Sequence, residues 1–374
     1  SRREYAGRHA VGPLTVACRP VEEHRADRSF GIQFLGMLPA HDLETSSRPN
    51  GLPVEQLGAV LGEILRAATG DGRLNVGSLQ RLSSGASRES WILQGETGES
   101  AGRRFVVQLF PERRVGTGLT ATTEAQLLVA AGLGGVPVPK VIASGGTGGP
   151  LGSPYLVTEW IDGETLPSRL FRDPEYAPGL GRLHEDCAEA LVRVHRLPLH
   201  AADIQPVDPI EPYRNDLAAS GQWHPALEWS YRWLDRNRPP GNSACIVHGD
   251  FRLGNLLVDQ RGLRAVLDWE LAHVGDPYED LAWPMVRAWR FDRVRPAGLF
   301  PDRQRWIEAY GAASGVDVDP AVLRWWEIAA TFKWGVICLT QWSRHRDHLT
   351  RSVELAAIGR RVAENEYDLL KLIP

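Results

Sequence analysis

Residues 246–258 read Ile246-Val247-His248-Gly249-Asp250-Phe251-Arg252-Leu253-Gly254-Asn255-Leu256-Leu257-Val258, and residues 264–270 read Arg264-Ala265-Val266-Leu267-Asp268-Trp269-Glu270. Two apolar, strand-like runs at 255–258 and 264–267 flank a turn at 259–262, which is the pattern of a β-hairpin with an acid or amide near each end. Folded that way, the segment brings Asp250, Asn255 and Asp268 together. These side chains suit phosphoryl transfer, in which a protein mainly positions reactants and neutralises charge. Magnesium favours hard oxygen ligands, and Asp268 and the amide oxygen of Asn255 are two of them, with phosphate oxygens and water completing the shell. Asp250 is then placed to accept the proton of a substrate hydroxyl. Arg252 lies two residues further on, and its guanidinium matches the oxygens of a transferring phosphate.

Outward from this stretch the texture of the chain differs on its two sides. A helix is expected from Pro53 to Gly70, where Leu57, Val60, Leu61, Ile64, Leu65 and Ala68 recur at three- and four-residue spacing. Short β-prone runs follow at 76–82, 90–94, 105–110, 141–143 and 155–160, interrupted by one helix at about 122–131, and Gly-rich turns separate them. A small, mostly antiparallel sheet carrying one helix is the economical reading. After Asp162-Gly163 the periodicity becomes helical, at about 180–197, 226–237, 302–313, 320–344 and 350–371. The plan is therefore α+β and bilobal. Residues 1–52 show no sustained pattern and are expected to form an N-terminal extension. An N-lobe at 53–160 and a helical C-lobe at 161–374 follow it.

Composition excludes several classes of function. With 42 Lys and Arg against 46 Asp and Glu, the chain carries a formal charge of −4 and no basic run long enough to track a nucleic acid or an anionic membrane. The four cysteines form no C-x-x-C pair, so neither a zinc knuckle nor a disulfide framework is suggested, and a reducing, cytoplasmic setting is expected. No run approaches the length of a membrane-spanning segment. The expected partners are a nucleotide and a small molecule, with the protein a monomer or homodimer. The only lysines are Lys140, Lys333 and Lys371, which limits where a phosphate-binding lysine can be.

His248-Gly249-Asp250, Asn255 and Asp268 together resemble the catalytic signature of the aminoglycoside phosphotransferase and choline kinase-like superfamily. The run Leu267-Asp268-Trp269-Glu270, with Gly275-Asp276-Pro277 and Asp280-Leu281-Ala282-Trp283, most resembles the branch related to the phosphotransferase domain of acyl-CoA dehydrogenase fusions. The resemblance implies a protein-kinase-like fold over residues 53–374. It makes Asp250 the catalytic aspartate, Asn255 and Asp268 the magnesium ligands, and His248 and Asp280 braces of the catalytic loop. Ser84, Gly85, Ala86 and Ser87 resemble the loop that covers nucleotide phosphates. Glu159 and Ile161 fall at the interlobe hinge that faces adenine. Glu124 matches the helix glutamate that pairs with a phosphate-holding cation, but Gln108 stands on the third strand where that cation is expected. A substitute would have to be an arginine, such as Arg88, Arg104, Arg113 or Arg114.

The function implied is transfer of the γ-phosphate of ATP or GTP, with Mg²⁺, to a hydroxyl of a small molecule, an antibiotic or another metabolite. Gln108 supports the alternative of a kinase-fold nucleotide- or ligand-binding module that has lost turnover. A third reading is a metal-dependent hydrolase built on His248, Asp250, Asp268 and His273. Each residue also has a plainer explanation. Glu270 suits a salt bridge as well as a metal, Gly85 a hairpin turn, and His195 a buried hydrogen bond. The 13 tryptophans lie mostly in the helical half, at core spacing, although a few could line an acceptor pocket.

Overall fold

The computed structural model describes residues 53–82, 88–96, 99, 102–111, 118–241, 244–291, 303–349 and 352–374. The expected extension at 1–52, the loop Ser84, Gly85, Ala86 and Ser87, and Arg113 and Arg114 lie outside these residues. Helix α1 (Val54–Thr69) ends where Gly70 turns into the left-handed region and returns its N–H to the Arg66 carbonyl. Its Leu57, Leu61 and Leu65, four residues apart, are fully buried on one face. Strands β1 (Val76–Arg81), β2 (Glu89–Gly95) and β3 (Arg104–Leu109) come next, then helix α2 (Ala121–Leu133) and strands β4 (Val141–Gly145) and β5 (Tyr155–Glu159). They make a five-stranded sheet in the order β1-β2-β3-β5-β4, antiparallel throughout. Along β3, Phe105, Val107 and Leu109 are buried on one face against α1, while Arg104, Val106 and Gln108 alternate to the other.

The second half is helical around two small hairpin-like pairs. Helices α3 (Pro167–Arg172), α4 (Ala177–His195), α5 (Glu211–Ala219) and α6 (Pro225–Arg236) precede β6 (Cys245–Val247), β7 (Leu256–Asp259), β8 (Gly262–Val266) and β9 (His273–Gly275). Strands β7 and β8 form the hairpin read from the sequence, and β6 pairs with β9. Helices α7 (Pro277–Ala282), α8 (Arg303–Ser314), α9 (Pro320–Arg346), α10 (Val353–Gly359) and α11 (Val362–Leu372) complete the chain.

Two separate apolar cores hold these parts. The smaller joins α1 to one face of the sheet, and the larger fills the helical half. Helix α2 lies against β4 and β5 and packs its Ala121, Ala125, Leu127, Leu128 and Ala131 into the larger core, which also takes in Phe110 and Leu156 from the sheet side. Most of the tryptophans are core residues, as expected, but Trp223 is 83% exposed. Among the described residues no helix is long and apolar enough to cross a membrane.

Candidate active site

The loop between β6 and β7 carries His248, Gly249, Asp250, Arg252 and Asn255, and its shape is fixed by backbone bonds from beneath. The Asp280 carboxylate, at 0% exposure, accepts the His248 N–H at 2.6 Å and the Gly249 N–H at 2.9 Å. Gly249 has φ +79°, and a Cβ there would lie 2.5 Å from the Leu271 carbonyl oxygen, so only glycine fits. His248 accepts the Asp250 N–H on Nδ1 and faces the Leu267 carbonyl with Nε2. That pair of partners requires the neutral, Nε2-protonated ring. Burial lowers the His248 pKa in the same sense. His195 meets Asp280 at 3.4 Å and Tyr310 at 2.8 Å, so it braces the loop as a buried hydrogen-bonding residue.

Both oxygens of Asp250 are engaged. Oδ1 accepts from Trp283 Nε1 at 2.6 Å and Arg252 Nε at 3.0 Å, and Oδ2 accepts from Asn255 Nδ2 at 2.6 Å. Asn255 Nδ2 also donates to the Asp250 carbonyl, which leaves the amide oxygen directed away from Asp250. The Leu267 N–H donates to the Asn255 carbonyl at 2.8 Å, so the hairpin sets Asp268 beside Asn255. Asp268 has φ +60°, one of two non-glycine residues with positive φ among those described, an uncommon conformation that turns its side chain out of the strand line. The structure therefore brings Asp250, Asn255 and Asp268 together, and Arg252 stacks its guanidinium 4.3 Å from the Trp289 ring.

Arg88 places a buried cation against the helix glutamate, although Gln108 stands on the third strand. Ser90 sits opposite Gln108, and Arg88, two residues earlier, emerges on the same side by strand alternation. Its side chain, 5% exposed, contacts Glu124 at 2.8 Å, Glu270 at 3.2 Å and Asp268 at 3.8 Å, and lies over the Phe110 ring. Gln108 itself is only partly buried. The surrounding protein and the neighbouring Glu270 raise the Asp268 carboxyl, against the opposing pull of Arg88, although 42% of its side chain stays exposed. Three acids, Glu124, Glu270 and Asp268, facing one guanidinium leave negative charge that a dication would neutralise, and Asp268 with the Asn255 amide oxygen forms a hard-oxygen set that fits magnesium. No cluster of three His, Cys, Asp or Glu side chains able to hold a metal occurs among the described residues. His273 instead faces the Leu271 carbonyl and Glu279 with its two ring nitrogens, away from His248, Asp250 and Asp268, with which the hydrolase reading groups it. At the hinge, Glu159 pairs with Arg103, and Ile161 is partly buried.

Sequence reasoning missed Trp283 as a partner of Asp250, although it follows Asp280 by one helical turn. It also missed Lys333, which projects from α9, 4% exposed, to donate to the Gly249 carbonyl and to Glu279, both at 3.1 Å. Its ammonium lies 4.6 Å from the Trp283 ring. Scarcity of lysine was the available signal.

The chain is 27% identical over 229 residues to mouse acyl-CoA dehydrogenase family member 10, and 32% identical over 165 residues to human acyl-CoA dehydrogenase family member 11. These matches cover 54% and 40% of the chain, and about a fifth of the length of either relative. Among solved structures, a candidate aminoglycoside phosphotransferase from Ralstonia eutropha superposes with a TM-score of 0.64 at 20% identity, over 83% of this chain and 97% of that one. Spectinomycin phosphotransferase in complex with ADP and spectinomycin superposes with a TM-score of 0.57 at 12% identity, over 87% and 100%. The fold is thus the protein-kinase-like fold of these phosphotransferases. The profile of the phosphotransferase enzyme family matches residues 78–326, across the strands, the catalytic loop and the hairpin, and the chain belongs to that family.

Proposed function

We propose that this protein transfers the γ-phosphoryl group of ATP or GTP to a hydroxyl of a small molecule, with Asp250 as the catalytic base. The observation that carries the reading is the Asp250 carboxylate itself, held by Trp283, Arg252 and Asn255 beside Asp268 and the Arg88–Glu124 pair. The acceptor oxygen forms a bond to the γ-phosphorus as its proton passes to Asp250. The bond to the bridging oxygen breaks, and its electron pair leaves on the nucleoside diphosphate. Asn255 and Asp268 would hold magnesium, which supplies charge neutralisation on the phosphate oxygens. Arg88 holds the phosphates and Arg252 neutralises charge near the base. On the family pattern Ser84, Gly85, Ala86 and Ser87 would cover the phosphates, Gln108 would stand at the cation's place on the third strand, and Glu159 and Ile161 would offer backbone groups to the nucleobase. The related structure that contains ADP supports a nucleotide co-substrate.

Gln108 favours a second reading, a binding module without turnover. The position of Arg88 weighs against it, because a buried guanidinium on the helix glutamate restores the missing charge. The test is a screen of hydroxylated compounds with Mg-ATP and Mg-GTP, read by the mass of one added phosphoryl group, on wild type and D250N. Transfer by wild type, with D250N slower by about 10²-fold or more at unchanged nucleotide affinity, is expected. Tight nucleotide binding with no transfer to any compound and no hydrolysis would favour the module.

A further inference from the structure

Lys333 reaches inward from α9 to the back of the catalytic loop. It is 4% exposed, so it meets protein groups rather than reactants. Two of its contacts lead to Asp250. The ammonium donates to the Gly249 carbonyl at 3.1 Å, and that carbonyl shares its peptide group with the Asp250 N–H, which donates to His248 Nδ1 at 3.2 Å. A peptide group is rigid and planar, so a bond at each end fixes the plane from which the Asp250 side chain projects. The same ammonium lies 4.6 Å from the Trp283 ring, whose Nε1–H donates to Asp250 Oδ1 at 2.6 Å. A cation on the face of an indole is held by its π electrons and draws density from the ring, which strengthens the N–H as a donor.

The charges around Lys333 point the same way. Glu279 Oε1 accepts from Lys333 at 3.1 Å, while its Oε2 faces His273 at 3.1 Å. Both ring nitrogens of His273 meet acceptors, so one carboxylate stands between two cations. The surplus positive charge lies behind the catalytic loop, and the Asp250 carboxylate attracts it.

We infer that Lys333 is a positioning residue for phosphoryl transfer, which sets the direction of the Asp250 carboxylate from behind through the Gly249 carbonyl and the Trp283 indole. The inference rests on the reading of Asp250 as the base. The ammonium keeps its protons throughout, and the proton of the acceptor hydroxyl passes to Asp250 alone.

Removing the ammonium leaves Glu279 short of a partner, so the test uses two variants. K333Q can still donate to the Gly249 carbonyl and to Glu279 but carries no charge, and K333M/E279Q removes both charges. Calorimetry is expected to give the double variant a higher melting temperature than K333M. Heteronuclear NMR of the nitrogen-labelled full chain then reads the Trp283 indole resonance, assigned by its loss in W283F. Its proton is expected far downfield in wild type, less so in D250N, and displaced in the D250N direction in K333Q and further in K333M/E279Q. A resonance at the wild-type position in either folded variant overturns the inference. Steady-state ADP release from Mg-ATP, with water as the acceptor, should give a kcat about tenfold lower in both variants at an unaltered KM. No fall in kcat, or a fall matched by weaker Mg-ATP binding, also overturns it. A wild type that binds Mg-ATP without turnover, with its Trp283 resonance still dependent on Lys333, would sink the phosphotransferase reading and leave the coupling of Lys333 to Asp250 supported.

Discussion

An indole N–H at 2.6 Å from a carboxylate oxygen is a charge-assisted bond, and in Trp283 it aims Asp250, the proposed base. The variant W283F keeps a ring between Trp289 and Trp334 and removes only the donor. It is expected to lower kcat about tenfold and leave the nucleotide KM unchanged, because a bond to a charged group contributes roughly 1.5–3 kcal/mol. ADP release under steady-state conditions measures both constants, and an unaltered kcat would make the bond incidental. Arg88 calls for a different design, since R88M alone leaves the Glu124 carboxylate buried without its guanidinium, at a cost of roughly 3–5 kcal/mol. The double variant R88M/E124L removes both charges. It should regain most of the lost melting temperature in calorimetry yet bind Mg-ATP at least about tenfold more weakly by titration. Recovery of both would show the pair to be structural only. The juxtaposition of Asp250, Asn255 and Asp268 was legible in the sequence because all three flank one short hairpin. The Arg88–Glu124 pair spans 36 positions, and its choice among four arginines depended on strand register, which no local pattern encodes.

Long, periodic elements were equally legible, and the exceptions have local causes. The long helix expected at 320–344 is α9, whereas the single helix expected at 350–371 is broken into α10 and α11. Gly359 ends α10 where a Cβ would lie 2.5 Å from the Trp342 Cβ of α9, so close packing selects a residue of poor helix propensity. Helix α5, nine residues with one buried side chain, offered too little periodicity to read. Where β9, α7 and α9 meet, buried charges join the elements: His273 faces Glu279 at 3.1 Å, and Glu279 faces Lys333 at 3.1 Å. Both ring nitrogens of His273 point at acceptors, so the ring is an imidazolium. Burial alone would lower its pKa, but Glu279 outweighs burial and raises it. A raised folded-state pKa stabilises fully below the unfolded value and is lost as pH climbs through the folded one. H273Q keeps a donor toward Glu279 without the charge. The melting-temperature gap between wild type and H273Q should therefore be widest near about pH 6 and close as the buffer becomes alkaline. A gap that widens with pH would show that His273 is neutral in the fold.

The site lies where the sheet meets the helical half, and the side-chain contacts at the site itself are largely polar. Arg88 comes from the residue before β2, Glu124 from a helix anchored in the larger core, and Asp268 and Glu270 from just beyond the β7–β8 hairpin. The Leu119 N–H adds a backbone bond to the Glu270 carbonyl. Two acids of like charge are among these groups, and the surrounding protein and Glu270 raise the Asp268 carboxyl although 42% of its side chain stays exposed. Anything that adds positive charge at Asp268 and bridges to Arg88 through phosphate oxygens should therefore tighten the molecule as a whole. Magnesium with ATP does both, and ligand binding to the folded state alone stabilises by about 2.7 kcal/mol at a hundredfold excess over Kd. Thermal unfolding should accordingly shift upward with Mg-ATP, by several degrees at saturation, and much less with ATP in the presence of EDTA. D268N, which keeps the shape but halves the acid pair, should melt at or above the wild-type temperature without ligand, because a repulsion is relieved, and should lose most of the Mg-ATP shift. If D268N keeps the full magnesium-dependent shift, the metal is held by other residues, and the charge at the seam has a structural explanation only.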